Sequence, residues 1–366
     1  MVDAVSRPAT TKSRAKQESR GGAPASIAVV GVGGGGVNAV MHMLKHEPVP
    51  GVRYICVNTD IKSLDKVEGA TVIHIGERVT HGLGAGGIPD VGAKAADSGR
   101  EALKRALGKS DLVFLTAGKG GGTGTGAAPV VADIAKQTGA MVVAVVTTPF
   151  SFEGGRRLET AHGGMTRLRE KVDNLIVIHN DRLLRVFKKD VTMGEALKMA
   201  DEAVMLGVLS VAELINVPGD INVDMADVNT IMKLPGMALM AIGEAKGQGA
   251  ALMAANQAVN NPLLDLSIDA AKGVLFNLNG GAGLTLGDVN AAGEFIASKV
   301  DKNAIIFFGM VNDPTQEADH VRITVIATGI PEKQKGTPMP WDITSSGNQG
   351  QQQSPIQQLR NNLPNR

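Results

Sequence analysis

Apolar and polar positions along this chain follow two alternating rhythms. Short apolar runs ("SIAVVG", "VRYICVNTD", "DLVFLTAG", "AMVVAVVT", "NLIVIHND") are separated by stretches with helical spacing ("VNAVMHMLKH", "EALKRAL", "APVVADIAKQTG"). A run that is apolar at successive positions reads as a strand buried on both faces. Such strands alternating with helices predict a parallel sheet covered on both sides. From Thr192 to Asn216, "TMGEALKMADEAVMLGVLSVAELIN" reads as one helix. At about 1.5 Å per residue it spans roughly 40 Å, enough to cross a molecule and join two domains. It stops at "PGD", Pro218–Asp220. Beyond it the pattern changes. "MALMAIGEA", "AALMAANQAVN" and "GDVNAAGEFIASKV" read as helices between the strands "AKGVLFNLNG", "NAIIFFGMVN" and "HVRITVIATG". The expected fold class is α/β. A Rossmann-like parallel-sheet domain covers residues 27–191, a connecting helix 192–217, and a smaller α+β domain 218–330. The polar tails, 1–26 and 331–366, read as disordered. No internal repeat is evident.

Composition narrows the class without naming a function. Hydrophobic residues make up 43% of the chain and charged residues 20%, an ordinary globular mixture. Aromatics are only 3%, so the core must be built from aliphatic side chains. The formal net charge of +1 carries no basic excess that argues for nucleic acid. Cys56, the single cysteine, excludes a disulfide within the chain and reads as an inert buried thiol. No apolar run approaches the ~18 residues of a membrane helix, and the first residues lack a secretory h-region. Cytoplasmic residence without direct membrane insertion is the expectation.

Glycine changes the picture, because its 46 residues are clustered. "GVGGGGVN", Gly31–Asn38, and "GGGTGTG", Gly120–Gly126, each follow a strand and open a helix; "HGLGAGG", His81–Gly87, is a third cluster. A strand-to-helix turn aims free backbone N–H groups and the helix dipole at one point, which favours phosphate. Tight helix–sheet packing is the competing reason for the glycines. Two such loops, with hydroxyls from Thr123 and Thr125, favour a chain of phosphates held from two sides. No G-K-[ST] follows either loop, so the Walker A pattern is absent. Lys119 reads as solvated rather than as a phosphate ligand. A dinucleotide site is the rival reading: Gly31, Gly33 and Gly36 match G-x-G-x-x-G, and Asp60 lies 24 residues beyond Gly36.

Polar residues at strand ends extend the candidate site. "NTD", Asn58–Asp60, and "HND", His179–Asp181, end strands at the carboxyl edge where open α/β sheets bind ligands. Glu153, Arg156 and Arg157 follow another strand and suit either a nucleotide or a surface ion pair. Asp201 on the long helix suits the N1–H and amino protons of guanine, or simply a solvated face. In "NVDMADV", Asn222–Val228, Asp224 and Asp227 fit ordinary N-terminal capping of a helix. They also offer what the glycine loops lack, carboxylates for a hydrolytic water.

Taken in order, "GVGGGGVNAV", "VNTD", "GLGAGG", "GGGTGTGAAPVVA", "TPFSFEGGRR", "HNDRLL" and "NVDMADV" resemble FtsZ, the bacterial tubulin-like family of cell-division GTPases. The resemblance runs from about Ile27 to Ile330. It implies GTP and GDP as ligands, with Mg²⁺ bridging the phosphates. It implies Gly33, Gly34, Gly35, Gly36 and Asn38, and Gly120, Gly121, Gly122, Thr123, Gly124, Thr125 and Gly126, on the phosphates. Asn58, Thr59, Gly84, Ala85 and Gly86 complete the nucleotide site. Glu153 falls on the ribose, Arg157 near the nucleotide, and Asn180 and Asp201 at guanine. Asp224 and Asp227, assisted by Asn222, would act on the attacking water in the next subunit of a head-to-tail homopolymer at the midcell division ring. Membrane-tethering and other division proteins are the implied partners. Four residues depart from the usual pattern: Leu197 for an aromatic, Lys119 for an uncharged residue, His81 for lysine and Asp90 for glutamate. The tail "SPIQQLRNNLP", Ser354–Pro364, lacks the usual acidic–hydrophobic tether peptide. The intact aspartate pair argues against a non-hydrolysing relative that only regulates assembly.

Overall fold

The computed structural model describes residues 25–331 other than 47, 187–191, 218, 262–266 and 313–316. Both predicted tails and the Ser354–Pro364 segment lie outside the described residues, apart from the few tail residues next to the folded chain. The first sheet contains β1 (Ile27–Val32), β2 (Val52–Asn58), β3 (Thr71–His74), β4 (Leu112–Gly118), β5 (Met141–Thr148) and β6 (Asn174–His179). All its pairings are parallel, in the order β3-β2-β1-β4-β5-β6. The order reverses direction between β1 and β4, and a doubly wound sheet opens its ligand crevice at such a point.

The continuous apolar strands follow from burial on both faces. Alternate residues of β1 and β4, such as Val29 and Phe114, meet α1 (Gly33–Lys45) and α9 (Met193–Asn216). Their neighbours Val30 and Leu115 meet α5 (Arg100–Leu107) and α6 (Thr123–Gln137). β3 was not anticipated. It is four residues long, lies at the sheet edge and is half exposed, so it carries no continuous apolar run.

The long helix is α9, as the periodicity predicts. Thr192 caps it, exchanging hydrogen bonds with Glu195. Its inner face carries Val204, Val208, Leu209 and Ala212 into a core that also contains Leu275 and Ile326 of the second sheet. That sheet, β7 (Met237–Lys246), β10 (His320–Ile330), β8 (Gly273–Gly280) and β9 (Ile305–Asn312) in spatial order, is antiparallel except for β8 with β9. α11 (Ala250–Val259) and α12 (Leu286–Ala297) share its other core.

One element differs from its sequence reading. "MALMAIGEA" is strand β7, not a helix. Ala, Leu, Met and Glu favour helix locally, but β10 pairs with this segment from His320 to Ile330. Register with a neighbour outweighs a weak intrinsic preference. Among the described residues, no helix is long and apolar enough to cross a membrane.

Adjacent glycines on α7 (Gly155–Arg169) test how tightly this domain is packed. A Cβ at Gly163 would meet open space, whereas one at Gly164 would overlap the buried Thr125 side chain. Gly163→Ala should stabilise the protein by about 0.5–1 kcal/mol through helix propensity. Gly164→Ala should cost about 1–3 kcal/mol through overpacking. Urea unfolding of the two variants measures the contrast.

Candidate nucleotide-binding site

The glycine loops are mostly helix N-termini. α1 begins at Gly33, directly after β1, and α6 begins at Thr123, so "TGTG" is its first turn. Neither helix has a side-chain cap. The first-turn N–H groups of both are therefore left for something other than the chain's own side chains.

The individual glycines divide between two causes. Gly33 adopts φ +73°, and a Cβ there would lie 2.6 Å from the Gly124 amide nitrogen. Gly36 would overlap the Thr116 carbonyl, and Gly126 that of Pro89 at the start of α4 (Pro89–Ser98). A Cβ on Gly122 would come within 2.8 Å of Ala85 Cβ, and one on Gly124 within 2.5 Å of the Gly118 carbonyl. These glycines let the three clusters press together. Gly34 and Gly121 differ, since a Cβ on either would meet no protein atom within 4 Å. They border a cleft of about 590 Å³.

The cleft brings together most of the predicted residues. Gly34, Gly35 and Asn38 line it from α1, Asn58 from β2, and Gly84 and Ala85 from the third cluster. Gly121, Gly122, Thr123 and Gly124 line it from the β4–α6 turn. Glu153 and Arg157, Asn180, and Asp201 close the remaining sides. Gly33, Gly36, Gly86, Gly120 and Gly126 are not on its wall. Thr125 is fully buried, and its hydroxyl accepts the Gly120 N–H at 2.9 Å, so it braces the loop. Thr59 is equally buried, with its hydroxyl 2.7 Å from that of Thr123.

The polar walls are unevenly satisfied. Glu153 receives the Phe150 N–H at 2.9 Å and pairs with Arg157, so the ion-pair reading holds even within the cleft. Asp60 accepts from Lys62 N at 3.1 Å and caps α2 (Ile61–Leu64), which occupies the carboxylate the dinucleotide reading required. Asn180 is buried, yet its Oδ1 has no hydrogen-bond partner. Asp201 is half-buried rather than on a solvated face, and burial pushes its carboxyl up to about 7. His179 donates to or accepts from Thr148 at 3.4 Å, and burial pushes it down to about 4. An orphaned amide oxygen and a desolvated carboxyl fit a ligand that brings its own N–H donors.

Lys119 corrects the sequence reading. It is 4% exposed, not solvated, and its Nζ donates to the Gly124 carbonyl at 3.2 Å. Residues that sequence reasoning missed also line the cleft, including Ser63, Gly87, Ala200, and Thr147, Thr148 and Pro149 at the end of β5. The strand-end rule that nominated Asn58 applies equally to Thr147 and Thr148.

Asn222, Asp224 and Asp227 are nowhere near this wall. They lie past the far end of α9. From Asp201 to Asn216 alone, the helix spans about 22 Å at 1.5 Å per residue. Asp224 caps α10 (Met225–Met232), accepting from Asp227 N at 2.9 Å, and Asn222 exchanges bonds with Gly219. Asn222 and Asp224 are exposed.

Comparison with known proteins agrees with this geometry. Residues 26–188 match the Tubulin/FtsZ family GTPase domain, and residues 236–331 match the FtsZ family C-terminal domain. A solved FtsZ dimer from M. jannaschii is 39% identical, with TM-score 0.81, covering 87% of this chain and 96% of that one. The chain belongs to the FtsZ family. A point mutant of FtsZ from the same organism is 41% identical, with TM-score 0.80, covering 84% of this chain and 92% of that one. CetZ2 from Haloferax volcanii, solved as a GTPγS-bound protofilament, shares the fold at 21% identity and TM-score 0.71. The match covers 83% of this chain and 93% of CetZ2. Membership makes this FtsZ-family chain a GTPase that binds GTP and GDP.

Asp201 supplies a pH test. The role that the family resemblance implies for Asp201, accepting N–H groups of guanine, would require it ionised when bound, so binding would release its proton. Affinity for GDP should therefore fall as pH drops through about 7. Asp201→Asn should remove that limb and weaken binding about 10–100-fold at pH 8. Fluorescent-GDP titration across pH measures both.

Proposed function

We propose that this chain polymerises head to tail, and that each GTPase site is completed by residues 222–227 of the adjacent copy. One observation carries the reading. The cleft and the Asp224–Asp227 pair stand at opposite ends of α9, while the carboxylates beside the cleft are engaged or suited to the base. A dimeric FtsZ and a CetZ2 protofilament among the similar structures support self-association. A contact between unlike faces does not close on itself, and so it builds filaments.

In this reading the first-turn N–H groups of α1 and α6 hold the phosphates, with Gly34 and Gly121 facing them most openly. Thr123 adds a hydroxyl. Glu153 and Arg157 lie at the ribose, and Asn180 and Asp201 receive guanine through its N–H groups. Among the described residues, no cluster of three or more His, Cys, Asp or Glu side chains could hold a metal. A Mg²⁺ ion would thus be held chiefly by the phosphates, where it supplies charge neutralisation. Asp224 and Asp227 of the incoming copy, with Asn222, polarise water as it attacks the terminal phosphorus, giving GDP and phosphate. Hydrolysis removes the group that joins two copies and weakens their contact. The biological setting is the cytoplasmic division ring at midcell, anchored by tethering proteins.

GTP turnover measured against protein concentration, with sedimentation in parallel, tests the shared site. Rate per chain should be near zero below a threshold and rise with pelletable polymer. Asp224→Ala should abolish turnover, by about 10³-fold or more, while GDP affinity is unchanged. A rate per chain that is constant at all concentrations means the site is complete within one copy.

A further inference from the structure

Lys119 is a charged member of the cleft wall with no role in the reading above, which is the reading this inference rests on. It sits beneath the β4–α6 turn, between Gly118 and Gly120, with its backbone N–H on the Thr147 carbonyl at 2.9 Å. Its ammonium reaches the Gly124 carbonyl in the first turn of α6 and, among the described residues, meets no carboxylate. A neutral acceptor satisfies one of three N–H donors and none of the charge. Burying an unpaired cation is costly, and side chains that remain so are expected where a ligand completes them. Gly124 is itself on the cleft wall, so the cation lies directly behind the surface that faces the phosphates.

We propose that Lys119 is a buried positioning cation for the nucleotide's phosphates, which holds the Gly124 turn in place and whose charge is compensated only when a polyanionic ligand is bound. The ligand class is nucleoside di- and triphosphates. Burial, with Arg167 as a lesser cause, pushes the free ammonium down to about 7. The other charged groups at hand are Asp60, Glu153, Arg157 and Asp201 on the cleft wall. Behind the turn, Arg167 pairs with Asp90 at 3.7 Å. Phosphate charge favours protonated Lys119, so above pH 7 binding takes up a proton and affinity falls as pH rises. Each unit by which the ligand raises the lysine's pKa is worth about tenfold in affinity below pH 7, a gain that is lost as pH rises toward the bound-state value. This limb opposes that of Asp201, which releases a proton and acts below about 7. The two therefore separate by pH.

A purely structural lysine and a ligand-completed one predict opposite stabilities. If Lys119 were only a strut to Gly124, Lys119→Met would destabilise the free protein. If its charge is uncompensated until ligand binds, Lys119→Met relieves a desolvated cation and raises the melting temperature. The decisive experiment is calorimetric titration of the full chain with GDP at pH 8.5, in buffers of high and low ionisation enthalpy. Wild type should take up a substantial fraction of a proton, and Lys119→Met none. The variant should bind GDP about tenfold more weakly at pH 7 while melting higher. Equal affinity and equal proton uptake in the two proteins overturns the proposal, as does a variant that melts lower and binds normally. Should the variant not fold, zero uptake by wild type at pH 8.5 overturns it alone. Failure of wild type to bind GDP at any pH would instead overturn the placing of phosphates in this cleft, and this proposal with it.

Discussion

Everything at this site depends on the closeness with which two strand-to-helix turns approach each other. A methyl group at Gly33 would meet the backbone of Gly124, and one at Gly122 would meet the third glycine cluster. Only bare backbone allows α1, α6 and the segment before α4 to converge on one point. The convergence lies at the reversal of strand order between β1 and β4, where no helix crosses the edge of the sheet. The result is a cleft walled by backbone N–H groups from two uncapped helices. A side-chain cap is worth about 0.5–2 kcal/mol per helix, so both ends forgo stability that a bound anion can restore.

α9 is the second constraint. It belongs to the core of the parallel sheet and touches the second sheet through Leu275 and Ile326. Because the same inner face serves both, the two domains are held in a fixed relation. Asp201 is delivered to one end of the molecule and Asp224 is left exposed at the other. In the proposed reading the site is divided along α9, with the cleft at one end and the Asp224–Asp227 pair past the other. In that reading a second copy supplies what one chain keeps apart.

The cleft also collects groups that the free protein satisfies poorly. Asp201 is held toward its neutral form, Asn180 keeps an orphaned oxygen, and Lys119 keeps an unpaired charge. Each has a matching feature in a guanine nucleotide: N–H donors for the first two and phosphate charge for the third. Around them the glycine loops are tightly packed, as the overlaps of an added Cβ at Gly33, Gly122 and Gly124 show.

Much of this was legible in the chain itself. Unbroken apolar runs such as Ile27–Val32 can be buried only between two helical layers, and glycine clusters after two of them mark backbone that must come close to something. What the glycines approach was not legible, because packing and phosphate both demand a missing side chain. Tertiary structure assigned Gly36 and Gly126 to packing, and Gly34 and Gly121 to the open cleft. Likewise, a lysine beside glycines looks solvated until the turn folds over it, and Ala- and Met-rich "MALMAIGEA" looks helical until β10 supplies its partner. Periodicity and residue type report on local preference and on how many faces are covered. Which atoms lie across the gap is set by contacts between segments far apart in sequence, and it is those contacts that placed Asp201 and Lys119 on the cleft and kept Asp224 away from it.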